Sequence, residues 1–325
     1  MSKGSSLGMR DAYFQELLEI FRNDKNTFFI SADNGSPLMD PLSELPGQFL
    51  NVGIAEQQMI AMACGIALEG RPVWFYAIDP FVTVRVVEFV KLDMCSMNLP
   101  ITALGVGSGY SYDNMGPTHH AVGNIAVMRP WPNLKIYSPS DNIIAAALAR
   151  VSYENRCPQY IKFDRVTPVN LYEEIAEAGV INQAINNGLL VPRTGNDICV
   201  ISTGRMVHNA IKIADNLKNA GISVGVIDLF RLKPINEKLL LETVANYKRV
   251  ATYEEDFLIG GLGSAIAEIM VDHSIFKPVL RIGQSDRFVF DLGGRDAIWE
   301  KYGLDEQNAE NKITAWLNKQ EIINR

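Results

Sequence analysis

One acidic residue, Glu56, stands where a carboxylate could do chemistry. It follows a strand-like run at residues 49–53 and lies in the first turn of an apolar helix pattern at residues 54–68. The helix dipole favours negative charge at a helix start, so a carboxylate there is ordinary. If Glu56 is buried, however, it needs a specific partner, because an unpaired buried charge is unfavourable. A heterocyclic nitrogen that must stay protonated would be such a partner; a plain helix-start acid is the alternative.

Two adjacent histidines follow a glycine-rich loop further along the chain. The segment Asp113-Asn-Met-Gly-Pro-Thr-His119-His120 comes after an apolar strand pattern at residues 100–106. Histidine is the side chain best suited to moving protons near neutral pH. α/β proteins place their chemistry at the carboxyl edge of a parallel sheet, where a residue after such a strand would lie. His119 is therefore a candidate acid–base residue, and a capping or packing role is the alternative.

Both segments belong to an alternation of short strands and helices, which would position them. In the first half, strand patterns lie at residues 27–31, 73–77, 101–106, 134–137 and 159–163, and helix patterns at 10–21, 54–68, 81–97 and 142–154. A second alternation has strand patterns at 197–202, 223–228, 249–253 and 277–282, and helix patterns at 206–219, 236–246, 263–271 and 306–319. Such alternation predicts parallel sheets with right-handed crossovers.

The predicted fold is therefore α/β, with two domains that each contain a mainly parallel sheet flanked by helices. We predict domains at residues 1–170 and 193–325, joined by a linker at 171–192 that is more polar and less regular. A chain of 325 residues can form two full cores.

Composition narrows the class of protein. The hydrophobic content of 47% and charged content of 21% are typical of globular proteins. The net charge of −7 argues against nucleic acid as the main partner. Four cysteines without CxxC spacing favour reduced thiols over disulfides. The sequence shows neither a signal peptide nor a run long enough for a membrane helix. We expect a cytoplasmic protein that binds neither nucleic acid nor membranes.

The order of several segments resembles the transketolase family of thiamine-diphosphate enzymes. The matching segments are Ser31-Ala-Asp33, Gly53-Ile-Ala-Glu56, Gly116-Pro-Thr-His119, Tyr137-Ser-Pro-Ser-Asp141, the strand ending in Arg165, Leu232-Lys-Pro-Ile235, Glu254-Glu255 and Tyr302-Gly-Leu304. The Gly-Asp-Gly segment of the family's first domain, which holds the metal and the diphosphate, is absent. The chain therefore looks like the C-terminal half of a transketolase, with the pyrimidine-binding and C-terminal domains, encoded as a separate subunit.

The resemblance implies a thiamine-diphosphate cofactor and assigns residues to it. Glu56 would hydrogen-bond the pyrimidine and activate the cofactor, and Phe81 would stack on the pyrimidine ring. Asp33 and Ile54 would line the same site. A core aromatic is the alternative for Phe81, and a cap after the first strand is the alternative for Asp33.

The resemblance also assigns residues to the substrate. His119 would orient or protonate the substrate oxygen that becomes charged when the carbon–carbon bond forms or breaks. His120 and Asp113 would assist at the same site. Arg10 and Arg165 would hold a substrate phosphate, because the planar guanidinium binds phosphate bidentately. A surface ion pair is the alternative for each arginine.

Two departures from the family concern the substrate. Common transketolases have an aspartate directly before the Gly-Pro-Thr-His segment, and this chain has Met115 there. The preceding loop, residues 105–110, also lacks the family's histidine. Losing a group that reads a substrate hydroxyl changes specificity strongly. A modified sugar is therefore a candidate substrate.

The implied activity is transfer of a two-carbon ketol unit from a ketose to an aldose, and the two arginines favour a phosphorylated ketose. The partner would be an N-terminal subunit that holds Mg²⁺ and the diphosphate, so no metal ligands are assigned here. Two copies of each chain would form a heterotetramer around a homodimer of this one. The alternatives are a 2-oxo-acid dehydrogenase β-type subunit, a deoxyxylulose-phosphate-synthase-like enzyme and a non-catalytic half.

One motif in the second half invites a different interpretation. Gly260-Gly-Leu-Gly263 follows a strand and could be mistaken for a dinucleotide fingerprint, but closely spaced glycines alone are weak evidence. A tight turn into a helix is favoured. Glu254 and Glu255, just before it, would cap a turn or line an interface.

Overall fold

The computed structural model describes residues 7–37, 39–165, 170–175 and 178–323, and it confirms the predicted fold class. The strands of the first half are β1 Phe28–Ser31, β2 Phe49–Asn51, β3 Val73–Ile78, β4 Ile101–Val106, β5 Lys135–Tyr137 and β6 Gln159–Phe163. Its helices are α1 Met9–Asn23, α2 Asp40–Ser43, α3 Glu56–Leu68, α4 Asp79–Val82, α5 Val87–Phe89, α6 Asn124–Met128 and α7 Asn142–Glu154.

The second half adds six strands and six α-helices within the described residues. The strands are β7 Leu190–Arg193, β8 Ile198–Ser202, β9 Val224–Asp228, β10 Arg231–Lys233, β11 Arg249–Phe257 and β12 Val279–Gln284. The helices are α8 Ala178–Asn187, α9 Met206–Asn219, α10 Glu237–Ala245, α11 Leu262–Asp272, α12 Arg295–Tyr302 and α13 Glu306–Ile323. Every predicted strand overlaps one of these strands.

The first sheet has seven strands in the order β10-β5-β6-β4-β3-β1-β2. Six of them run parallel, as the alternation predicts. The seventh, β10, comes from the second half of the chain and pairs antiparallel with β5. The two halves are therefore joined by a shared strand as well as by the connecting segment.

The second sheet has five strands in the order β12-β11-β8-β9-β7. Four run parallel, and β7 forms an antiparallel edge beside β9. The segment predicted as a linker, 171–192, contains α8 and most of β7, so much of it is regular structure. The predicted end of the first domain, residue 170, directly follows residues 166–169, which lie outside the described residues, as do residues 1–6, 38, 176–177 and 324–325.

The prediction of one helix over residues 81–97 is wrong. Helix α4 already begins at Asp79 and ends at Val82, and a short 3₁₀ turn, α5 and a π-helical turn at Val90–Cys95 follow. The backbone leaves helical geometry at Thr83 (φ −125°, ψ −87°). The Thr83 hydroxyl donates to the Asp79 carbonyl at 2.7 Å and accepts from the Asn124 amide at 2.9 Å, which fixes the break. Breaks of this kind often occur at functional sites.

Helix α3 explains how a carboxylate comes to lie at the sheet edge. Its buried side chains recur every three or four residues and face strands β1 and β3; they are Met59, Ile60, Ala63, Cys64 and Ala67. This apolar stripe fixes the rotation of the helix. Glu56, one turn before Met59 and Ile60, is therefore drawn into the same buried face.

Within the described residues, no helix has the length and apolar character needed to cross a bilayer.

Buried ion pairs join the two halves. Arg295 at the start of α12 donates to Glu255 (Nε to Oε1, 2.9 Å) and to Asp164 after β6 (Nη1 to Oδ1, 3.0 Å). Glu255 also accepts from the Trp299 indole at 2.7 Å and from the Tyr110 backbone N–H at 3.0 Å. All these groups are buried, so each charge depends on its partners. The cluster ties the loop after β4 to the second sheet.

A second pair lies next to this cluster. Lys162 in β6 contacts Asp256 in β11 at 3.1 Å, and both side chains are almost fully buried. The carboxyl ends of strands from the two sheets therefore meet through opposite charges.

Removing the central cation should destabilise the protein strongly. Arg295→Met leaves Asp164 and Glu255 buried without their cation, so we expect a loss of about 3–5 kcal/mol in the free energy of unfolding, measured by urea denaturation. The control is Arg193→Met, which breaks the exposed pair with Asp215 and should change stability by less than about 1 kcal/mol. A similar loss in the free energy of unfolding for both variants would show that the buried ion pairs of Arg295 stabilise the protein no more than an exposed pair does.

Asp228 at the end of β9 predicts a pH dependence of stability. Its Oδ2 accepts from the Tyr172 hydroxyl at 2.7 Å and from the Ser140 hydroxyl, and burial raises its pKa to about 7. The unfolded chain releases this proton near pH 4 and the folded protein holds it to about pH 7, so the contribution to stability falls as pH rises across that window. Asp228→Asn should therefore gain stability relative to the parent protein, by up to about 4 kcal/mol, between pH 4 and pH 8 in denaturation experiments. A difference in unfolding free energy between Asp228→Asn and the parent protein that does not change with pH would contradict the raised pKa of Asp228.

Candidate active site

Glu56 is the first residue of α3, and only 3% of it is exposed. Strand β2 leads to it through a turn at Gly53, whose φ of +70° lies in the region that glycine adopts without strain. The sequence predicts a carboxylate in the first turn of this helix, and the structure adds that the carboxylate is buried. A buried ionised group requires a partner of opposite charge or a hydrogen-bond donor.

The partner of Glu56 in this structure is Arg85. Arg85 Nη1 lies 2.5 Å from Glu56 Oε1. The same guanidinium stacks on Phe81, with its carbon 3.7 Å from the ring centroid. The break after α4 brings Phe81 and Arg85 to this carboxylate. The acid and the aromatic that the family resemblance assigns to a cofactor, Glu56 and Phe81, therefore both contact the same guanidinium.

His119 continues this line of contacts. Its ring lies 5.2 Å from the Phe81 ring and 5.9 Å from the Tyr112 ring, centroid to centroid. The Thr118 hydroxyl is 2.9 Å from His119 Nδ1. Partial burial and the nearby charge of Arg85 lower the pKa of His119 from its usual value. The imidazole is therefore neutral at physiological pH and can donate one hydrogen bond and accept another.

Tyr112 lies next to both His119 and Arg165, one of the two arginines predicted to bind a phosphate. The Arg165 guanidinium stacks on the Tyr112 ring at 4.3 Å and donates to the Ser111 carbonyl at 3.2 Å. Gly107, with φ of +97°, permits this arrangement, because a Cβ there would lie 2.1 Å from the Tyr112 ring. Arg165 remains exposed, so its other nitrogens can reach a ligand.

Arg10 reaches the same region from α1. Its Nε contacts Asp11 at 2.8 Å, and its Nη1 donates to the Tyr76 hydroxyl at 3.4 Å. Burial raises the pKa of Tyr112, and the positive charges of Arg165 and Arg10 both oppose that rise. Both arginines therefore favour the ionised form of the Tyr112 phenol, and Arg165 contacts its ring directly.

Asp33 and Ile54 lie on neighbouring loops at this sheet edge. The Asn51 side chain accepts the backbone N–H of Asp33 at 3.1 Å and that of Gly53 at 2.9 Å, which holds the loops after β1 and β2 together. Asp33 is exposed, and Ile54 is 78% exposed next to Glu56. Both residues are therefore accessible from outside the chain at this edge of the sheet.

Asp113 and His120 lie in the supporting part of the loop. Asp113 Oδ2 accepts the backbone N–H of Arg295 at 3.0 Å, which satisfies a donor at the start of α12. His120 is buried, with its ring 4.9 Å from the Tyr110 ring, and burial lowers its pKa. These contacts hold the loop that carries His119 against the second half of the chain. Met115, in the same loop, is 56% exposed.

Sequence reasoning misses Tyr112 and Asn51, and it offers Arg85 only as a further candidate near the phosphate site, not as the partner of Glu56. Arg85 falls inside a predicted helix, and that position gives no sign of a contact with Glu56. Tyr112 has a usable signal, since it stands between a glycine-rich loop and the histidine segment. Asn51 ends a strand, a common place for a side chain that hydrogen-bonds a neighbouring turn.

The glycine-rich turn in the second half forms no dinucleotide site. Glu254 accepts the backbone N–H groups of Leu262 at 2.6 Å and Gly263 at 2.7 Å, at the start of α11. A helix N-terminus is where a pyrophosphate would bind in such a motif, and here a carboxylate of the chain fills it. The predicted capping role of Glu254 is confirmed.

A small cavity lies between the two halves, away from Glu56. Its volume is about 30 Å³, which is room for a water molecule or two, and charged groups that are mostly paired with one another line it. Among the described residues, no three His, Cys, Asp or Glu side chains are grouped so that they could bind a metal ion.

Comparison with known protein families accounts for most of the chain. Residues 5–167 match the transketolase pyrimidine-binding domain, and residues 188–308 match the transketolase C-terminal domain. The chain is 30% identical over 316 residues to a putative transketolase C-terminal section of Methanocaldococcus jannaschii, covering 96% of this chain and 97% of that protein. It is 31% identical over 303 residues to one of the subunits of the apulose-4-phosphate transketolase of Phocaeicola vulgatus, covering 93% and 95%.

A solved structure agrees with these relatives. A split-gene transketolase, described as an inactive β4 tetramer, superposes with a TM-score of 0.83 at 27% identity, over 95% of this chain and 98% of that one. Domain order, length and fold all correspond. The chain therefore belongs to the transketolase family and contains its pyrimidine-binding and C-terminal domains.

Proposed function

We propose that this chain is the C-terminal subunit of a two-component, thiamine-diphosphate-dependent transketolase. The observation that carries the proposal is the buried carboxylate of Glu56, which is 3% exposed and is connected through Arg85 to Phe81 and through Phe81 to His119. The relatives support the reaction class. One of them is named as a subunit of a transketolase for a sugar phosphate.

The residues around Glu56 fit thiamine diphosphate. A nearly water-free carboxylate accepts a hydrogen bond from a pyrimidine nitrogen more strongly than an exposed one does. Phe81 offers an aromatic face beside it, and Asp33 and Ile54 form the adjoining rim. When bound, the cofactor supplies the nucleophilic carbon that carries the two-carbon unit. Glu56 contributes by holding a proton on the pyrimidine nitrogen.

His119 acts on the substrate. Its neutral imidazole can donate a hydrogen bond to the substrate oxygen that gains negative charge, or accept a proton from it. The Thr118 hydroxyl at 2.9 Å from Nδ1 leaves Nε2 free to face the substrate. Asp113 and His120 assist by holding this loop in place.

Arg165 and Arg10 bind the phosphate of the sugar. Arg165 stacks on Tyr112, whose ring lies 5.9 Å from the His119 ring, and the positive charges of both arginines act on the Tyr112 phenol. A doubly charged anion at this point would receive bidentate hydrogen bonds, which are stronger than neutral ones. The substrate therefore spans from the cofactor end to the two arginines. Met115 has no polar group that could bind a sugar hydroxyl, so a modified sugar is a candidate substrate.

A second subunit completes the site. Phe81 and His119 are only partly buried, and Arg85 beside the buried Glu56 is 37% exposed, so the site can be reached from outside the chain. We assign the diphosphate and Mg²⁺ to an N-terminal transketolase subunit that covers this part of the chain. Exposed Ile54 and Met115 would contact that subunit or the substrate. The proposed assembly is a heterotetramer built on a homodimer of this chain.

Replacing the acid should remove activity and leave the fold intact. In the complex with the N-terminal subunit, Glu56→Gln should lower ketol transfer from xylulose 5-phosphate to ribose 5-phosphate by at least about a hundredfold, because the amide cannot hold the proton. Glu19→Gln, in an exposed pair with Arg22, is the matched control and should keep full activity. Full activity of Glu56→Gln at an unchanged melting temperature would contradict the proposal.

Removing one arginine should affect only phosphorylated sugars. Arg165→Ala should raise KM for xylulose 5-phosphate by about tenfold or more, the loss expected for hydrogen bonds to a charged group. KM for unphosphorylated xylulose should stay within about twofold, since an exposed side chain away from the chemistry contributes nothing there. Arg150→Ala, on the exposed face of α7, is the control. An equal rise in KM for both sugars would remove the phosphate assignment.

A further inference from the structure

Arg85 contacts Glu56 and Phe81, the two groups that the proposed function assigns to the cofactor. Its guanidinium contacts Glu56 Oε1 at 2.5 Å and covers the Phe81 ring at 3.7 Å. A ring stacked on that face of Phe81 and hydrogen-bonded to Glu56 would need the same space. Arg85 and the pyrimidine therefore exclude one another in this arrangement.

The chemistry of the guanidinium explains why it can fill this space. It is planar, carries N–H donors at its edge and stacks on aromatic faces. A protonated pyrimidine nitrogen in a flat ring offers the same combination. Without either group, Glu56 would be a nearly buried carboxylate with no partner, which is strongly unfavourable.

We propose that Arg85 is an internal stand-in for the cofactor: it fills the pyrimidine site of the cofactor-free subunit and leaves it when the cofactor binds. The inference rests on the proposed function. The Arg85 side chain is 37% exposed, so it has a direct route to solvent. Because Arg85 lies in the 3₁₀ turn after Thr83, its side chain can leave without disturbing a long helix.

A stand-in has an energetic signature. The measured cofactor affinity includes the loss of the Glu56–Arg85 contact, so removing the guanidinium should tighten binding. Removing it should also weaken the cofactor-free subunit, because Glu56 then lacks a partner. A residue that holds the bound cofactor in place would show the opposite effect on affinity.

The test uses Arg85→Met, which keeps an unbranched stem. In the complex with the N-terminal subunit and Mg²⁺, isothermal titration should show thiamine diphosphate binding at least about tenfold tighter than in the parent complex. Arg22→Met, in an exposed pair on α1, should leave the affinity unchanged. Equal or weaker binding by Arg85→Met, with binding by the parent complex intact, would overturn the stand-in role.

A second readout needs no cofactor. For the full chain alone, Arg85→Met should lower the melting temperature in the parent background and much less in the Glu56→Gln background, since the amide needs no counter-charge. Equal effects in both backgrounds would show that the ion pair has no role. If the parent complex fails to bind thiamine diphosphate at all, the proposed function fails and this inference fails with it.

Discussion

The arrangement of the site depends on one constraint: a carboxylate withdrawn from water must have a partner. The apolar stripe of α3 draws Glu56 into the buried face of that helix, at the edge of the first sheet. In this structure the partner is Arg85, which reaches the carboxylate because the helix after β3 is interrupted at Thr83. The same interruption sets Phe81 under the guanidinium. Glu56, Phe81 and Arg85 therefore form one unit, and this unit depends on the burial of the Glu56 carboxylate.

The second half of the chain supports this unit at a distance. The loop that carries His119 is held at Asp113 by the start of α12 and near Tyr110 by Glu255 of β11. Buried ion pairs around Arg295 fix these elements against the first sheet. Buried charges of this kind tolerate little displacement, because each loses its partner when the other moves. The second sheet thus contributes to the geometry of the site through the loop that it anchors.

Much of this follows from the sequence, and the exceptions have physical causes. Strand alternation predicts the parallel sheets, and the apolar run after Gly53 predicts a helix with Glu56 in its first turn. Apolar periodicity carries no information about a side-chain hydroxyl that hydrogen-bonds a backbone carbonyl. It therefore does not predict the break at Thr83 or the contact of Arg85 with Glu56 that follows from it. The pairing of β10 with β5 joins distant segments, and no local pattern encodes it. The residues assigned to cofactor and substrate come from a family resemblance, and the structure brings Glu56, Phe81, His119 and Arg165 into one continuous line of contacts through Arg85 and Tyr112.

We propose that this chain holds half of a cofactor site. Isothermal titration of thiamine diphosphate with Mg²⁺ into this chain alone, the N-terminal subunit alone and their mixture distinguishes a half site from a complete one. For a half site, tight binding is expected only of the mixture, with one cofactor for each pair of chains. Binding by this chain alone, as tight as binding by the mixture, would show that the chain contains a complete site.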